Sequence, residues 1–334
     1  MEKHDDSKSG SWGKLMNEFY DLLNRLDENQ KDQLFEMIAD PDKLGNLVND
    51  NYLGKDRPNY ISQIEPIADW LLPLWRLETD ASAGLRAYLE DIAQKAGNRR
   101  KSQLETDMHN YILNIIALFD HQQQQYVWRL WGALWLMERL NLKKCADLVF
   151  LLLRQDYFFV DFYFGNDKME VAQASLYHFF SGKTETLYDF LRERRIIPES
   201  RIPVFGALAL TASQSEKNRL QAVSLIIKYL NVVYDVGKQN GNMQNVESYI
   251  YLLAHNKVKE ALPMLQKIYD DTLFLRLSIA DSNDVAYIMN HPDADSIPGY
   301  AKNFALNMDN ILENAALWEK VLNDDETEEW EEVL

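Results

Sequence analysis

The residues with chemistry in reach are 6 His, 1 Cys and 52 Asp and Glu in a chain of 334 residues. A zinc site needs His, Cys or carboxylate ligands at short, regular spacing. His4, His109, His121, His178, His255 and His291 lie far apart, and neither His-Glu-x-x-His nor Cys-x-x-Cys occurs. Glu105 and His109 stand one turn apart on a predicted helix, where such a pair is more often a solvated contact than a ligand pair. Cys145 has no marked histidine partner and sits among apolar residues, so it reads as a small buried hydrophobe. Gly237-Lys-Gln-Asn-Gly241 lacks the Lys-Ser/Thr and the preceding strand of a phosphate loop and reads as a loop after a helix. No Gly-x-Ser-x-Gly elbow is present. Carboxylates are abundant, but no pair shows the opposed environments that acid–base work requires. The expectation is a protein without metal or cofactor and without a recognisable catalytic constellation.

Binding chemistry has better candidates. Trp128 and Trp135, with Gly132 between them, form a second apolar stripe on a helix that already has one. They pack against neighbouring helices or serve as aromatic anchors for a partner, since Trp, Tyr and Arg dominate binding hot spots. Arg129 stands beside them. The stretch Asp156-Tyr-Phe-Phe-Val-Asp161-Phe-Tyr-Phe-Gly165 is an aromatic segment, read as a loop, that must be buried in the core or in a partner's groove. Within it Asp161 and Tyr163 are candidates. Asp161 needs a partner, either a helix starting near Asn166 that it caps, or Arg154 or Arg129. Arg192 and Arg195, with Arg201, make a basic spot in an acidic chain. The bland account is a solvated helix end, and the sharper one is docking of an anionic segment. Residues 323–334 carry seven acids with Trp330, Val333 and Leu334, and could cover a groove or recruit a basic partner. The alternative from another class is an enzyme or small-molecule binder with a carboxylate-containing pocket near Asp161, Arg129 and His178.

These side chains are expected to be held by helices. Only 13 Gly and 9 Pro occur, too few for the many turns of a strand-rich fold. Helical spacing is present over residues 14–26, from Asn29, after Asp40-Pro41, and over 61–77, where Pro73 should kink or split the element. It continues over 80–95, with Gly97-Asn98 as a stop, and over 104–119. From Tyr126 the pattern becomes regular, with apolar faces arriving in pairs. Second helices of these pairs are expected near Asn141, Gly182, Ser213 and Asn256, spacings that bracket the ~40–47-residue period of HEAT-like repeats. Asn141-Leu-Lys-Lys-Cys-Ala146 aligns with Asn256-Lys-Val-Lys-Glu-Ala261, and the same offset carries Asp156 to Asp271 and Phe159 to Phe274.

On these features, over residues 130–165, 176–201 and 248–285, the chain resembles bacterial HEAT-like repeat proteins of unknown function. The resemblance implies an α-solenoid scaffold and supplies no catalytic residues. The expected organisation is a disordered tail at 1–13, a helical N-terminal region at 14–120, about four helix pairs over 122–322, and an acidic tail at 323–334.

Bulk composition narrows the partners. The net charge of −17 repels a phosphate backbone and an anionic membrane surface, and favours solubility or a basic partner. The N-terminus lacks the apolar segment of a signal peptide, and no apolar run approaches the ~18 residues of a spanning helix. The expectation is a cytoplasmic, non-catalytic scaffold that binds a protein through the concave face of its stack. The sequence does not determine the oligomeric state.

Overall fold

The computed structural model describes residues 66–77, 84–119, 127–165, 168–240, 246–271, 282–291 and 308–313. All of them fall within the unit Arg57–Leu334. The helices expected before residue 66 and the two tails lie outside the described residues. Those described are all-helical, with no strand among them. Also among them, no helix is long and apolar enough to cross a membrane.

The chain enters through α1 (Leu72–Trp75), with Pro73 in the first turn, where its missing N–H costs nothing. Next come α2 (Leu85–Ala96) and α3 (Lys101–Ala117), each burying one face through residues three and four apart. Helix α4 (Val127–Arg139) buries every residue from Val127 to Met137 except Arg129. A helix apolar all round must be enclosed, and α1, α2, α3 and the later α7 pack around it. Gly132 permits the close approach: a Cβ there would lie 2.7 Å from Leu74 Cδ1 and 3.1 Å from Leu89 Cδ2.

After α4 the chain turns sharply through Asn141, at φ 51°. Leu142 N–H reaches back to the Met137 carbonyl at 2.8 Å, and a short 3-10 turn (Lys143–Cys145) leads into α5 (Asp147–Leu153). The bond closes the end of α4 as a left-handed C-cap does. Helix α6 (Tyr157–Phe164) follows, then α7 (Met169–Phe180), α8 (Thr184–Leu191), α9 (Pro198–Gln214), α10 (Arg219–Asn240) and α11 (Val246–His255). After α11 the same turn recurs. Lys257 has φ 53°, Val258 N–H reaches the Leu253 carbonyl at 3.0 Å, and a 3-10 turn (Lys259–Ala261) opens α12 (Leu262–Tyr269). The described chain closes with α13 (Ser282–Asn290) and α14 (Met308–Glu313).

Packing follows chain order. Helices α4, α7, α9, α11 and α13 touch in sequence, each against the next. Beside them α8 packs on α10 and α10 on α12. Helix α5 meets α8 through Phe150 and Phe190, stacked with centroids 4.9 Å apart. Side-chain hydrogen bonds between helices lie at a range of sequence separations, six of them at 36 to 43 residues. Gln221–Glu185 spans 36 residues, Ser175–Glu138 and Tyr234–Asp271 span 37, Arg154–Glu193 spans 39, Arg219–Glu260 spans 41 and Ser213–Asn256 spans 43. Helix α14 departs from this order, packing against α2, α4 and α7.

Four local expectations change. The aromatic stretch read as a loop is helix α6, because Asp156 accepts the Phe159 N–H at 2.9 Å and caps it; Asp161 lies inside the helix and not at its start. The stretch read as a loop from Gly237 is helical through Asn240, since Gly237 is buried and the Asp271 carboxylate ties Tyr234 and Lys238 at 2.7 and 2.8 Å. Ser213 belongs to α9, and the next helix begins at Arg219. The internal alignment is shifted by one residue, because left-handed Asn141 corresponds to left-handed Lys257 and not to Asn256.

Candidate functional site

The structure gathers the sequence candidates into three places. In the first, the end of α4 meets α7 and α14. Ser175 of α7 is fully buried and donates its hydroxyl to Glu138 Oε1 at 2.7 Å. The other carboxyl oxygen of Glu138, Oε2, lies 3.9 Å from His178 Nδ1, too far for a hydrogen bond. The Glu138 side chain is 10% exposed and that of His178 is 43% exposed, so the imidazole is the outward end of the group. Burial pushes the Glu138 carboxyl up to about 8; the Ser175 hydrogen bond opposes the rise and the Asp309 charge adds to it. Desolvation, helped by Lys143, lowers His178. At pH 7 both groups are therefore uncharged, and their contact is not an ion pair.

Asp309 of α14 completes this place. Its Oδ1 accepts the Trp135 indole N–H at 2.8 Å and lies 3.8 Å from the Arg86 guanidinium. Trp135 itself is 2% exposed.

In the second place, Arg129 lies over the Trp75 ring, 5.2 Å from its centroid, and donates from Nε to the Leu77 carbonyl at 3.4 Å. Its charge acts on the hydroxyls of Tyr111 and Tyr163. Both phenols are raised by burial, and the guanidinium opposes the rise. The Tyr163 carbonyl accepts the Trp131 indole N–H at 3.1 Å, and Trp128 packs edge-on to Trp131 with centroids 5.1 Å apart. Tyr111 Oη is buried with no hydrogen-bond partner among the described residues.

The third place is a ridge. The Arg192 guanidinium lies 5.5 Å from the centroid of the Tyr188 ring, and Lys228 Nζ from α10 lies 4.9 Å from the same ring. Arg192 and Arg195 are exposed.

Several sequence candidates thus stand differently from their expectation. Trp128, Trp135 and Tyr163 are each 2% exposed and belong to the core. Asp161 is half-buried on α6. The carboxyl beside His178 is Glu138, and Arg154 pairs with Glu193 at 2.5 Å. Glu105 turns to Lys144, 3.8 Å from its Nζ, while His109 is exposed. Among the described residues no group of three or more His, Cys, Asp or Glu is placed to hold a metal ion. Cys145 is buried, and its thiol is pushed up to about 12 by desolvation, aided by the nearby Glu105, so it is no thiolate nucleophile at neutral pH.

Chemically, the first place runs His178, Glu138, Ser175, with the carboxyl in the middle. A nucleophilic triad puts the imidazole between hydroxyl and carboxylate, so this order does not activate Ser175 in that way. Glu138, Ser175 and Asp309 escaped sequence reasoning. The i, i+3 spacing of Ser175 and His178 puts both on one face of α7 and was the available signal.

No protein-family model, curated protein or solved structure matches the chain.

Proposed function

We propose that the protein is a non-catalytic scaffold, a HEAT-like stack of helix pairs that binds a protein partner through its concave face. The observation that carries this reading is the packing of α4, α7, α9, α11 and α13 in chain order, accompanied by six side-chain hydrogen bonds between helices at separations of 36 to 43 residues. Like helices packed in chain order, with bonds at similar separations, are what repeated units leave when each leans on the next. The duplicated turn at Asn141 and Lys257 is a second mark of the same unit. A stack of this kind keeps a long face along its row of like helices. On that row the chain already lays two of its own segments, α6 against α4, α7 and α9, and α14 against α2, α4 and α7. A face that takes up helices in cis has the apolarity to take one in trans. The exposed Arg192 and Arg195 are assigned to its rim.

The test is affinity capture by the full chain from an extract of its source, repeated with Arg192→Glu and Arg195→Glu together. A protein retained by the first and lost by the second is expected. Equal retention removes the rim from the reading, and a chain that retains nothing counts against a scaffold.

The cluster of Ser175, Glu138 and the half-exposed His178 favours a second reading, a small-molecule site beside His178, in which the buried Glu138 carboxyl, pushed up to about 8, serves as the acid. A ligand that raises the melting temperature of the wild type but not of Glu138→Gln would support it.

A further inference from the structure

We propose that the junction of α4, α7 and α14 is a pH-sensitive latch: α14 stays docked while the Glu138 carboxyl keeps its proton, and loosens when that carboxyl ionises beside Asp309. This goes beyond the scaffold reading and does not depend on it.

Three observations put two carboxyl groups at one interface. Trp135 and Glu138 stand one turn apart on α4, and so on one side of it. Trp135 gives its indole N–H to Asp309 Oδ1 at 2.8 Å, which brings Asp309 to the same end of α4. Helix α14 also packs against α7, the helix that supplies Ser175 to Glu138.

The two groups are provided for unequally. The Asp309 side chain is 50% exposed and has the Arg86 guanidinium at 3.8 Å. The Glu138 side chain is 10% exposed, and the one basic group within 4 Å of it among the described residues is the His178 ring. A buried carboxylate without a cation is costly, so the group answers by keeping its proton.

Ionisation of Glu138 finds no compensation on the spot. Burial lowers His178 and raises Glu138, so the imidazole is already neutral when the carboxylate forms. Lys143 acts on His178. Of the cations on α2 and α4, Arg86 is shared with Asp309 and Arg139 pairs with Glu90 at 3.1 Å. The other elements packed on α4 meet it elsewhere. Leu74 of α1 reaches Gly132, the Tyr163 carbonyl of α6 reaches Trp131, and Tyr111 of α3 feels Arg129, while Glu105 of α3 turns to Lys144. The new charge therefore faces Asp309, and like charges repel. Helix α7 is wedged between α4 and α9, whereas α14 packs chiefly on α2, α4 and α7, so its departure leaves the row of helices in place.

The experiment is hydrogen exchange on the full chain at pH 6 and pH 9, each rate divided by that of the unfolded chain at the same pH, with α9 as internal reference. Between the two pH values, protection at 308–313 should fall about tenfold more than protection in α9, the size of a coupling of about one pH unit between neighbouring carboxyls. Glu138→Gln resembles the protonated carboxyl and cannot ionise, so it should abolish the difference. Asp309→Asn keeps an oxygen for the Trp135 N–H without the charge, and should remove most of the difference while Glu138 still titrates. Asp309 is half-exposed, so this second variant decides the matter if the first does not fold. Equal loss of protection in α14 and α9 would mean that ionisation loosens the whole fold, and the latch is overturned. A difference that survives either substitution overturns it as well.

Discussion

Ser175 on α7 donates its hydroxyl to Glu138 on α4 at 2.7 Å, joining two helices at the point where α14 also docks. The carboxyl it reaches is raised from 4.5 to about 8, chiefly by burial. The folded chain thus holds this proton where the unfolded chain releases it. Stability from this group is full below pH 4.5, falls as pH rises from there, and levels off above about pH 8, a loss on the order of 5 kcal/mol. The groups facing Glu138 are Ser175 and His178 from α7 and Asp309 from α14, with Lys143 near His178. His178 and His255, both lowered by burial, act in the opposite sense as pH falls through their range. Subtracting the urea-unfolding profile of Glu138→Gln from that of the wild type isolates the carboxyl. A difference flat between pH 5 and 8 would contradict its burial as a proton-holding group.

Gly206 and Gln173 are coupled by space. Helices α7 and α9 approach so closely that a Cβ on Gly206 would run into the Gln173 amide, 2.6 Å from its Cδ. Gln173 is 0% exposed and its amide has no partner among the described residues. Gly206→Ala should cost about 2 kcal/mol through overpacking. Gln173→Ala removes the obstacle, so the double variant should be less destabilised than the sum of the singles by at least ~1 kcal/mol. Simple additivity would mean that the two helices part without strain.

The two left-handed turn residues should respond differently to glycine. Asn141→Gly relieves a positive φ and is expected to raise stability by up to ~1 kcal/mol. Lys257→Gly relieves the same strain but loses the Nζ bonds to the carbonyls of Ile288 and His291, at 2.6 and 3.1 Å, which close the end of α13. It should be neutral or destabilising. Thermal melts of the two variants check the contrast, and equal gains would show that the lysine bonds contribute nothing.

Cys145 should be silent in the folded chain. Its Sγ donates to the Glu105 carbonyl at 3.3 Å, and burial holds the thiol protonated. A disulfide reagent at pH 8 should label it only after denaturant is added. Labelling of the native chain at the rate of a free thiol would place it at the surface.

The pattern of Val127, Leu130, Trp131 and Leu134, repeated in kind by Val246, Tyr249, Ile250 and Leu253, was enough to predict helices, since apolar periodicity and scarce Gly and Pro are local properties. It located α3 and the start of α4 to within a few residues. It failed at α6 and at the end of α10, where Asp156 as a cap and Asp271 as a tether act against a sequence that reads locally as loop. The one-residue error in the internal alignment has the same origin. Asn141 and Asn256 match by letter, but the left-handed position belongs to Lys257, which long-range bonds to α13 hold in place.

What the sequence by itself determined is the helical class, the apolar face of each helix and a net charge of −17. These follow from composition and spacing, which act over a turn or two of chain. Which aromatic residues are enclosed, which carboxyl keeps its proton, and that Asp309 meets Trp135 were decided only by tertiary packing. Burial and desolvation depend on what lies across the interface, and nothing near Trp135 in the chain announces a partner 174 residues away.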